Sequence, residues 1–350
     1  MTKIVAIGDP HIKLDNFEDF KLFEDSLHRL IDSEKPDFIV VLGDILHYHE
    51  KIFTQCLNRA YHFIKNLGEK ALTFVLVGNH DMINNQQFLS ENHWMNSMKK
   101  FSPNIVIVDK VVRHQNFLFC PYVFPGRFVE ALITLTDYDY NMASIIFAHQ
   151  EFRGCKMGAI ISEEGDPWPD TRAVGPIERS DTNLPLVISG HVHLNQWVGE
   201  KVYYTGSALQ HAFGESEKNI IAVITTREDK KDIDIKEIDL KLPRKQIITS
   251  TADNFDKIAT KVLKRDNPEH IKISMTGGIE EFKSLKTTEN YKKLVRQGVK
   301  IVFKQKQFAA DVDAREEIVD DNFTDILRRL IIDGGDSELY KIYEKFISFT

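Results

Sequence analysis

The chain has 350 residues, with 45 Lys and Arg against 52 Asp and Glu, a formal net charge of −7. This length predicts more than one domain, and 42% hydrophobic with 28% charged residues is typical of a globular protein rather than a disordered or fibrous one. The 3 cysteines form no CxxC pair, which disfavours a disulfide framework or a thiolate zinc site. The sequence contains no membrane-length apolar run and no signal-peptide core, so we expect an intracellular protein, in the cytoplasm of a bacterium or of a phage-infected host cell.

Strand and helix patterns alternate along the first 240 residues. Strand-like runs are predicted first at 3–7, 38–42, 73–77 and 104–108, and later at 117–119, 144–147, 186–188, 202–204 and 220–225. Apolar residues at helical spacing predict helices at 17–31, 53–67 and 88–98. Residues 150–184 show no regular pattern and are predicted to form a long loop, in which Trp168 either touches substrate or covers a sheet edge. The order predicts an α/β fold, a two-sheet sandwich flanked by helices.

The charge distribution divides the chain near Leu242. Residues 1–240 contain 24 Lys and Arg against 34 Asp and Glu, whereas residues 241–310 contain 16 against 7. The basic stretch has a β-α-β-α-β pattern, and two apolar helical stripes separated by Gly334-Gly335 follow it. We therefore predict three domains: 1–240, a small basic α+β domain at 241–310, and a C-terminal helical segment at 311–350.

The strands of the first domain end in a recurrent way. Side chains that bind metals stand just beyond the carboxyl ends of five hydrophobic strands, where α/β proteins build their sites. The five strand ends are Gly8-Asp9-Pro10-His11, Gly43-Asp44 followed by His47, Gly78-Asn79-His80-Asp81, Ala148-His149, and Gly190-His191-Val192-His193. Asp9, His11, Asp44, Asn79, His149, His191 and His193 supply oxygen and nitrogen ligands without sulfur, too many for one tetrahedral zinc. They predict two divalent ions that share a carboxylate.

These motifs, in this order, resemble the calcineurin-like metallophosphoesterases over roughly residues 1–240. The resemblance implies the four-layer metallophosphoesterase fold and a two-metal hydrolysis of phosphoesters. More narrowly, the His47 that trails Gly43-Asp44, the chain length and the basic domain followed by helices resemble the nuclease subunit of SbcCD-type double-strand-break repair complexes. That likeness includes the subunits of phage and viral recombination endonucleases.

The resemblance also implies a role for each residue. Asp9, His11 and His193 would hold one metal ion, Asn79, His149 and His191 the other, and Asp44 would bridge the two. The ions would most often be Mn²⁺, with Mg²⁺ or Fe²⁺ as alternatives. His80 would contact the scissile phosphate, with Asp81 orienting it, and His47 would face the DNA backbone near the metals; His49 is an alternative to His47.

The basic domain distinguishes the candidate functions. Clusters of lysine and arginine bind phosphate backbones irrespective of sequence. The predicted DNA-binding residues are Lys257, Lys261, Lys264 and Arg265 on or near one helix, and Lys292, Lys293 and Arg296 on another. We therefore expect a DNA exonuclease and endonuclease that acts on double-stranded ends and on single-stranded or hairpin DNA. By resemblance, the C-terminal helices would bind an SMC-like ABC-type ATPase, and the first domain would form a homodimer.

Three other functions are considered. A hydrolase of small phosphodiesters or cyclic nucleotides shares the metal motifs but leaves the basic segment unexplained. A protein phosphatase would carry an arginine in its second motif, where this chain has Gly43-Asp44-Ile45-Leu46-His47. A scaffold that has lost its metals conflicts with the intact set of ligand-type residues.

Overall fold

The structure is a computed structural model that describes residues 1–168, 184–215, 218–227 and 232–305. By its internal contacts the chain forms one compact unit at Met1–Lys304 and a second at Gln305–Thr350. The predicted C-terminal helices lie outside the described residues. In the part of the chain that is described, no helix is both long and apolar enough to cross a membrane.

Every strand predicted in residues 1–240 is present, and so are the helices predicted at 17–31 and 53–67. The strands are β1 (Thr2–Ile7), β2 (Phe38–Val41), β3 (Leu72–Leu76), β4 (Ile105–Val108), β5 (Val112–His114), β6 (Phe117–Cys120), β7 (Ile145–His149), β8 (Lys156–Met157), β9 (Ile160–Ile161), β10 (Leu186–Gly190), β11 (Gln196–Val198), β12 (Val202–Tyr204), β13 (Ile221–Thr226), β14 (Ile233–Ile238), β15 (Gln246–Thr251), β16 (Ile271–Gly277) and β17 (Lys300–Gln305). The α-helices are α1 (Phe17–Glu34), α2 (Thr54–Lys70), α3 (Phe128–Ile133), α4 (Phe255–Val262), α5 (Ile279–Thr287) and α6 (Glu289–Arg296). Short 3₁₀ helices occur at Asn79–Asp81, Trp94–Met98, Tyr140–Met142, Ala252–Asn254 and Pro268–His270.

Two six-stranded sheets form the body of the protein. The first has the order β14-β13-β1-β2-β3-β4 and the second β11-β12-β10-β7-β6-β5. Strands β1 to β4 run parallel to one another, as do β6, β7, β10 and β12. Because parallel strands end at the same edge, each sheet collects its strand ends on one side.

The side-chain alternation of β1 explains the layering. Ile4 and Ala6 lie in the hydrophobic core between the sheets, whereas Val5 and Ile7 lie in a second core against α1 and α2. A third core, which contains Phe128 of α3, covers the outer face of the second sheet. The predicted fold class is thereby confirmed: two packed sheets with helices on both outer faces.

The basic segment forms a separate three-stranded sheet, β15-β16-β17. Helices α4 and α6 pack on it through a core of its own that includes Phe255, Ala259 and Leu294. The sequence pattern missed α5, whose apolar residues are few and which buries no side chain fully. The domain boundaries at 240 and 310 stay predictions.

Two local predictions are wrong. In place of a helix over 88–98 the chain has only the short 3₁₀ helix Trp94–Met98, because polar side chains here bond to the backbone instead. One example is the Ser90 hydroxyl, which accepts a hydrogen bond from the Asn92 amide at 3.1 Å. The loop predicted at 150–184 contains the β8–β9 hairpin, and residues 169–183 lie outside the described residues. Trp168 is buried against Phe128 and Phe152, in the core that covers the outer face of the second sheet.

Candidate metal centre

The carboxyl ends of the two sheets meet. Asp9 and Asp44 follow β1 and β2 of the first sheet, whereas His149 and His191 stand at the ends of β7 and β10 of the second. The backbone at Gly190 comes so close to Asp9 that an added Cβ would lie 2.6 Å from Asp9 Oδ1. Sheet packing therefore brings together residues that are far apart in sequence, such as Asp9 and His191, 182 positions apart.

The backbone is strained at this edge. Positive φ angles occur at Asp9 (33°), His11 (44°), Asp44 (52°) and His191 (78°). Such angles are uncommon for residues other than glycine and cost roughly 1–3 kcal/mol each. Strain of this kind persists where the surrounding structure holds it for a function, and here it coincides with four predicted metal ligands.

Two glycines allow the crowding. Gly43 has φ of +107°, and a Cβ there would lie 2.4 Å from His149 Nδ1. A Cβ at Gly78 would lie 2.2 Å from Asp44 Oδ1. The glycine that precedes Asp44 and the one that precedes Asn79 thus leave the space that neighbouring ligand side chains fill.

The first cluster contains Asp9, His11 and His193, whose candidate ligand atoms all lie within 4.8 Å of one another. His11 Nε2 and His193 Nε2 face each other at 3.0 Å. The buried Asp9 Oδ2 has no hydrogen-bond partner among the described residues. A buried carboxylate oxygen without a partner is unfavourable in the protein alone, and a cation held between it and the two imidazoles would stabilise it.

The second cluster contains Asp44, His149 and His191, with Asn79 between the imidazoles. Asn79 Oδ1 lies 3.0 Å from His149 Nε2 and 2.9 Å from His191 Nδ1. His149 is fully buried, and its Nδ1 lies 2.6 Å from the Leu42 carbonyl oxygen. That contact places the proton on Nδ1, since a carbonyl only accepts, and leaves Nε2 as the ligand atom.

Asp44 stands between the clusters. Its Oδ1 lies 3.3 Å from His149 Nε2, and its Oδ2 lies 3.6 Å from His11 Nε2. The backbone amide of His80 donates to Oδ1 at 2.9 Å and fixes the carboxylate. One oxygen toward each cluster is the arrangement that a bridging carboxylate requires.

The ionisation of the site favours cations. Burial raises the pKa of Asp9, and burial also opposes ionisation of Asp44, but the neighbouring His149 and His11 hold the pKa of Asp44 well below its usual value. Burial likewise opposes protonation of His149, yet Asp44 and Asp9 raise its pKa to about 9. The carboxylates thus attract positive charge into a buried site. A sulfur-free oxygen and nitrogen set of this kind fits divalent ions such as Mn²⁺, Mg²⁺ or Fe²⁺.

Comparison with known proteins agrees with this geometry. The sequence model of the calcineurin-like phosphoesterase family matches residues 2–195, more than half of the chain. The chain belongs to the calcineurin-like phosphoesterase family. Phosphoesterases of this family are hydrolases that use divalent metal ions, so the two clusters are its candidate metal sites.

Two viral proteins are similar to this phosphoesterase over most of their length. “Putative phosphoesterase 078R” of Invertebrate iridescent virus 3 is 40% identical over 351 residues, which cover 99% of this chain and 96% of the relative. “Putative phosphoesterase 244L” of Invertebrate iridescent virus 6 is 41% identical over 293 residues, which cover 81% of this chain and 97% of the relative.

Two of the three predicted catalytic residues, His47 and His80, lie beside the first cluster. The rings of His47 and His80 both lie near His11, with centroid distances of 5.2 Å and 4.8 Å. His80 Nδ1 lies 2.6 Å from the His47 carbonyl oxygen, which fixes the His80 ring. His49, the alternative to His47, stacks on His80 with ring centroids 4.5 Å apart.

The predicted Asp81–His80 pair is not formed. The Asp81 carboxylate accepts hydrogen bonds from the backbone amides of Ile45, Leu46 and Gly78 and from Trp94 Nε1. These donors turn it toward the loop that carries Asp44, away from the His80 imidazole. Burial, and then repulsion by Asp44, raises the pKa of Asp81 to about 6. Asp81 therefore holds the Asp44 loop, and the His47 carbonyl orients His80.

Two carboxylates that the sequence did not indicate support the two histidines of Gly190-His191-Val192-His193. Glu215 Oε1 lies 3.5 Å from His193 Nδ1, and Glu151 Oε2 lies 3.8 Å from His191 Nε2. In each case the carboxylate faces the ring nitrogen opposite the one that points into a cluster. Such carboxylate–histidine pairs orient metal ligands and increase their basicity.

The signal that could have revealed Glu215 is the parallel strand β12. Because β12 runs parallel to β10, the segment after it reaches the same sheet edge. That segment also places His211 under the site, where His211 Nε2 donates to the Asp9 carbonyl oxygen at 2.8 Å. The neighbouring Gln210 accepts a hydrogen bond from the Lys245 backbone amide at 2.7 Å, next to the basic segment.

The predicted DNA-binding residues lie on the surface of the basic segment. Lys257, Lys261, Lys264, Arg265, Lys292, Lys293 and Arg296 are all exposed. Those of the first group lie on or just after α4, and those of the second on α6, which packs beside it. Among the described side chains, the Arg265 guanidinium donates a hydrogen bond to Gln246 Oε1 at 2.7 Å.

Proposed function

We propose that this phosphoesterase hydrolyses phosphodiester bonds in DNA, as the Mn²⁺-dependent exonuclease and endonuclease subunit of a double-strand-break repair or recombination complex. The observation that carries the proposal is the combination of a two-cluster metal centre with an exposed basic helix pair, α4 and α6, in one chain. A small substrate needs only the metal centre, whereas a long polyanion can bind the metal centre and the basic helix pair together.

The surface of the basic segment supports a polyanion. A depression of about 690 Å³ is lined by Lys257 and Lys261 of α4 together with side chains of the strand ends around Thr249–Thr251 and Thr276. Ammonium groups and hydroxyls are the side chains that contact nucleic-acid phosphates without reading the sequence. Each of the two lysines carries its charge at an exposed position, where salt would weaken its attraction to a phosphate.

The phosphoesterase's own residues account for the chemistry around the scissile phosphate. Divalent ions bound at the two clusters would supply Lewis-acid stabilisation of the phosphoryl oxygens. His80 keeps its Nδ1 proton on the His47 carbonyl, so the only proton it can transfer is the one on Nε2. A protonated His80 is therefore able to give that proton to the leaving oxygen, with no change in ring position.

The test is a nuclease assay on end-labelled duplex, single-stranded and hairpin DNA with Mn²⁺, Mg²⁺ or Fe²⁺. Wild type should degrade the DNA, and His80→Ala should lose most of that activity while keeping both metal ions. The matched control is His62→Ala, since His62 is an exposed histidine of α2. Absence of metal-dependent cleavage by wild type on every DNA would reject the nuclease function.

Small phosphodiesters give the alternative outcome. Good turnover of bis-p-nitrophenyl phosphate or of cyclic nucleotides, with none on DNA, would assign the chain to small-substrate hydrolases. Deletion of residues 241–310 also distinguishes the nuclease from the small-substrate hydrolase. It should weaken duplex binding and reduce the salt dependence of that binding only if the segment contacts DNA.

We also propose that the chain works with an SMC-like ABC-type ATPase and as a homodimer. The ATPase would bind the apolar stripes of residues 323–347, a helix-in-groove mode of recognition. Truncation after Asp320 should abolish capture of such an ATPase and spare metal-dependent cleavage. Analytical ultracentrifugation of the intact chain tests the homodimer.

A further inference from the structure

A depression beside His80 is not used by the metal chemistry. It is a wide, open depression of about 460 Å³ between two segments, 48–51 and 83–85. This space matches the size of pockets that bind drug-sized molecules, the range into which a nucleoside falls. We name it the lateral depression.

The lateral depression adjoins both the proton donor and a metal ligand. On one wall, His49 stacks on His80 with ring centroids 4.5 Å apart and an interplanar angle of 18°. On the other, Asn85 Oδ1 accepts a hydrogen bond from Asn79 Nδ2 at 3.2 Å. A phosphodiester held at the clusters would therefore extend one of its organic groups into this space.

The walls expose apolar and aromatic surface. The Tyr48 side chain is 45% exposed and that of Ile83 is 44% exposed, although both residues stand next to a buried catalytic edge. The Tyr48 ring is oriented by edge contacts with His47 at 4.8 Å and Phe53 at 5.6 Å. An aromatic ring held in a fixed orientation at low entropic cost is a stacking platform for a planar group.

The remaining walls offer hydrogen-bond donors and two exposed charges of opposite sign, Glu50 and Lys51. Asn84 Oδ1 accepts from the Gln86 amide and from Gln87 Nε2, both at 2.9 Å, which leaves Asn84 Nδ2 as a donor. Asn85 likewise uses its Oδ1 on Asn79 and keeps Nδ2 as a donor. Amide donors suit the carbonyl oxygens and ring nitrogens of a base, and the exposed Lys51 ammonium suits the next phosphate.

We propose that the lateral depression binds the nucleoside next to the scissile phosphate, with its base stacked on Tyr48 and its edge on the amides of Asn84 and Asn85. The inference rests on the proposed hydrolysis of nucleic-acid phosphodiesters at the two clusters, and it adds where the unpaired base lies. Base contacts there are made to one strand, so the substrate at the metals is an unstacked, single-stranded nucleotide even when the DNA is a duplex.

The experiment compares three esters that share a leaving group: thymidine 5′-(p-nitrophenyl phosphate), its 3′ isomer, and methyl p-nitrophenyl phosphate. In each, a water oxygen bonds to phosphorus as the bond to the p-nitrophenyl oxygen breaks, and p-nitrophenolate is released. Wild type should prefer one thymidine ester over the methyl ester in kcat/KM by roughly tenfold or more, the usual strength of base stacking on an aromatic ring. The preferred isomer also reveals the polarity of the bound strand.

Variants of Tyr48 assign the preference. Tyr48→Ala should bring the thymidine-to-methyl ratio close to one, mainly by lowering kcat/KM for the thymidine ester, while Tyr48→Phe keeps the ratio. Turnover of the methyl ester is measured in both variants, so that any general loss caused by the contact between Tyr48 and His47 cancels in the ratio. The control is Phe101→Ala, since Phe101 is 42% exposed and precedes β4, at the opposite end of the sheet from the metal edge. Equal melting temperatures would show that each variant is folded.

The outcomes separate this inference from the nuclease function. A wild-type ratio near one, or a ratio that Tyr48→Ala leaves unchanged, overturns the nucleoside site even if DNA is degraded. A ratio that depends on Tyr48 in an enzyme that leaves DNA intact supports the nucleoside site and rejects the nuclease. Inactivity on all three esters and on DNA rejects both.

Discussion

The metal centre and the basic helix pair hold charged residues in opposite ways. At the metal centre, Asp9 and Asp44 are buried and are placed by strained backbone, and each accepts a hydrogen bond from a backbone amide, that of His191 and that of His80 respectively. On α4 and α6, Lys257 and Lys293 are exposed on regular helices with few partners. A buried charge works through fixed geometry, so the removal of a single charged side chain should nearly abolish activity. Exposed charges act together through their summed electrostatic field. The removal of one of them should therefore weaken binding of a polyanion only in part, and by an amount that depends on salt.

The largest effect is expected from the two histidines that flank Val192. His191→Ala and His193→Ala should each reduce metal content from two ions to one per chain and lower turnover of a simple phosphodiester by roughly 10³-fold, because each metal contributes several kcal/mol of charge stabilisation. Metal analysis after dialysis, together with steady-state kinetics, measures both quantities. If both variants lost the same ion, or if His62→Ala behaved in the same way, the assignment of His191 and His193 to different clusters would fail.

A smaller effect is expected when a ligand keeps its place but loses its support. Glu215→Gln and Glu151→Gln should weaken the affinity of one metal position each by about 10- to 100-fold, the usual consequence of removing a carboxylate behind a metal-binding histidine. Metal titrations followed by calorimetry would separate the two positions. Glu200→Gln is the control, because Glu200 is exposed in the turn between β11 and β12. Unchanged metal affinity in both variants would show that Glu215 and Glu151 do not support metal binding by His193 and His191.

Removal of lysines from the basic helix pair should weaken DNA binding stepwise. The double variant Lys257→Gln/Lys261→Gln should lower the slope of log affinity for duplex DNA against log salt by about 2, since each lysine that contacts a phosphate releases about one counterion. Hydrolysis of methyl p-nitrophenyl phosphate should not change. Fluorescence anisotropy at several salt concentrations gives the slope, with Lys21→Gln/Lys100→Gln as a charge-matched control on other exposed positions. An identical slope in wild type and variant would remove α4 from the DNA interface.

The smallest effect concerns a contact between helix α1 and the basic segment that contains the helix pair. Asp19 of α1 lies 2.6 Å from His270 Nε2 and 3.1 Å from Lys245 Nζ. Burial opposes ionisation of Asp19, but the hydrogen bond from His270 and the charge of Lys245 lower its pKa. Asp19→Asn should therefore lower the free energy of unfolding by roughly 1–2 kcal/mol at neutral pH.

The sign of the pH dependence follows from that lowered pKa. Stabilisation by the Asp19 carboxylate is complete above the ordinary aspartate pKa of 3.8 and is lost as the pH falls through the lower folded value. Urea unfolding from pH 7 to pH 3 should show the difference between wild type and Asp19→Asn closing below about pH 4. Asp25→Asn, at an exposed position of the same helix, should show no such difference. A gap that stayed constant with pH would assign the effect to something other than the charge.

Much of the metal centre could be predicted because its signals are local. Each ligand follows a hydrophobic strand within a few residues, so the pattern at Gly43-Asp44 or Gly190-His191 is visible in a short window of sequence. The same locality explains the errors. The family resemblance implied an Asp81–His80 pair, but the Asp81 carboxylate accepts hydrogen bonds from the amides of Ile45 and Leu46, some 35 residues earlier. The helix predicted over 88–98 had an apolar pattern, yet polar side chains there compete for the backbone.

The sequence by itself determined the kind of site: which residues stand at the strand ends, that they offer oxygen and nitrogen but no sulfur, and that a basic segment follows. Only the tertiary structure showed which of these residues lie close together, because that depends on how the two sheets pack face to face. It also supplied Glu215 and Glu151 behind His193 and His191, and opened the lateral depression between 48–51 and 83–85. Those contacts join segments tens of residues apart, and no periodicity within one segment encodes a distance to another.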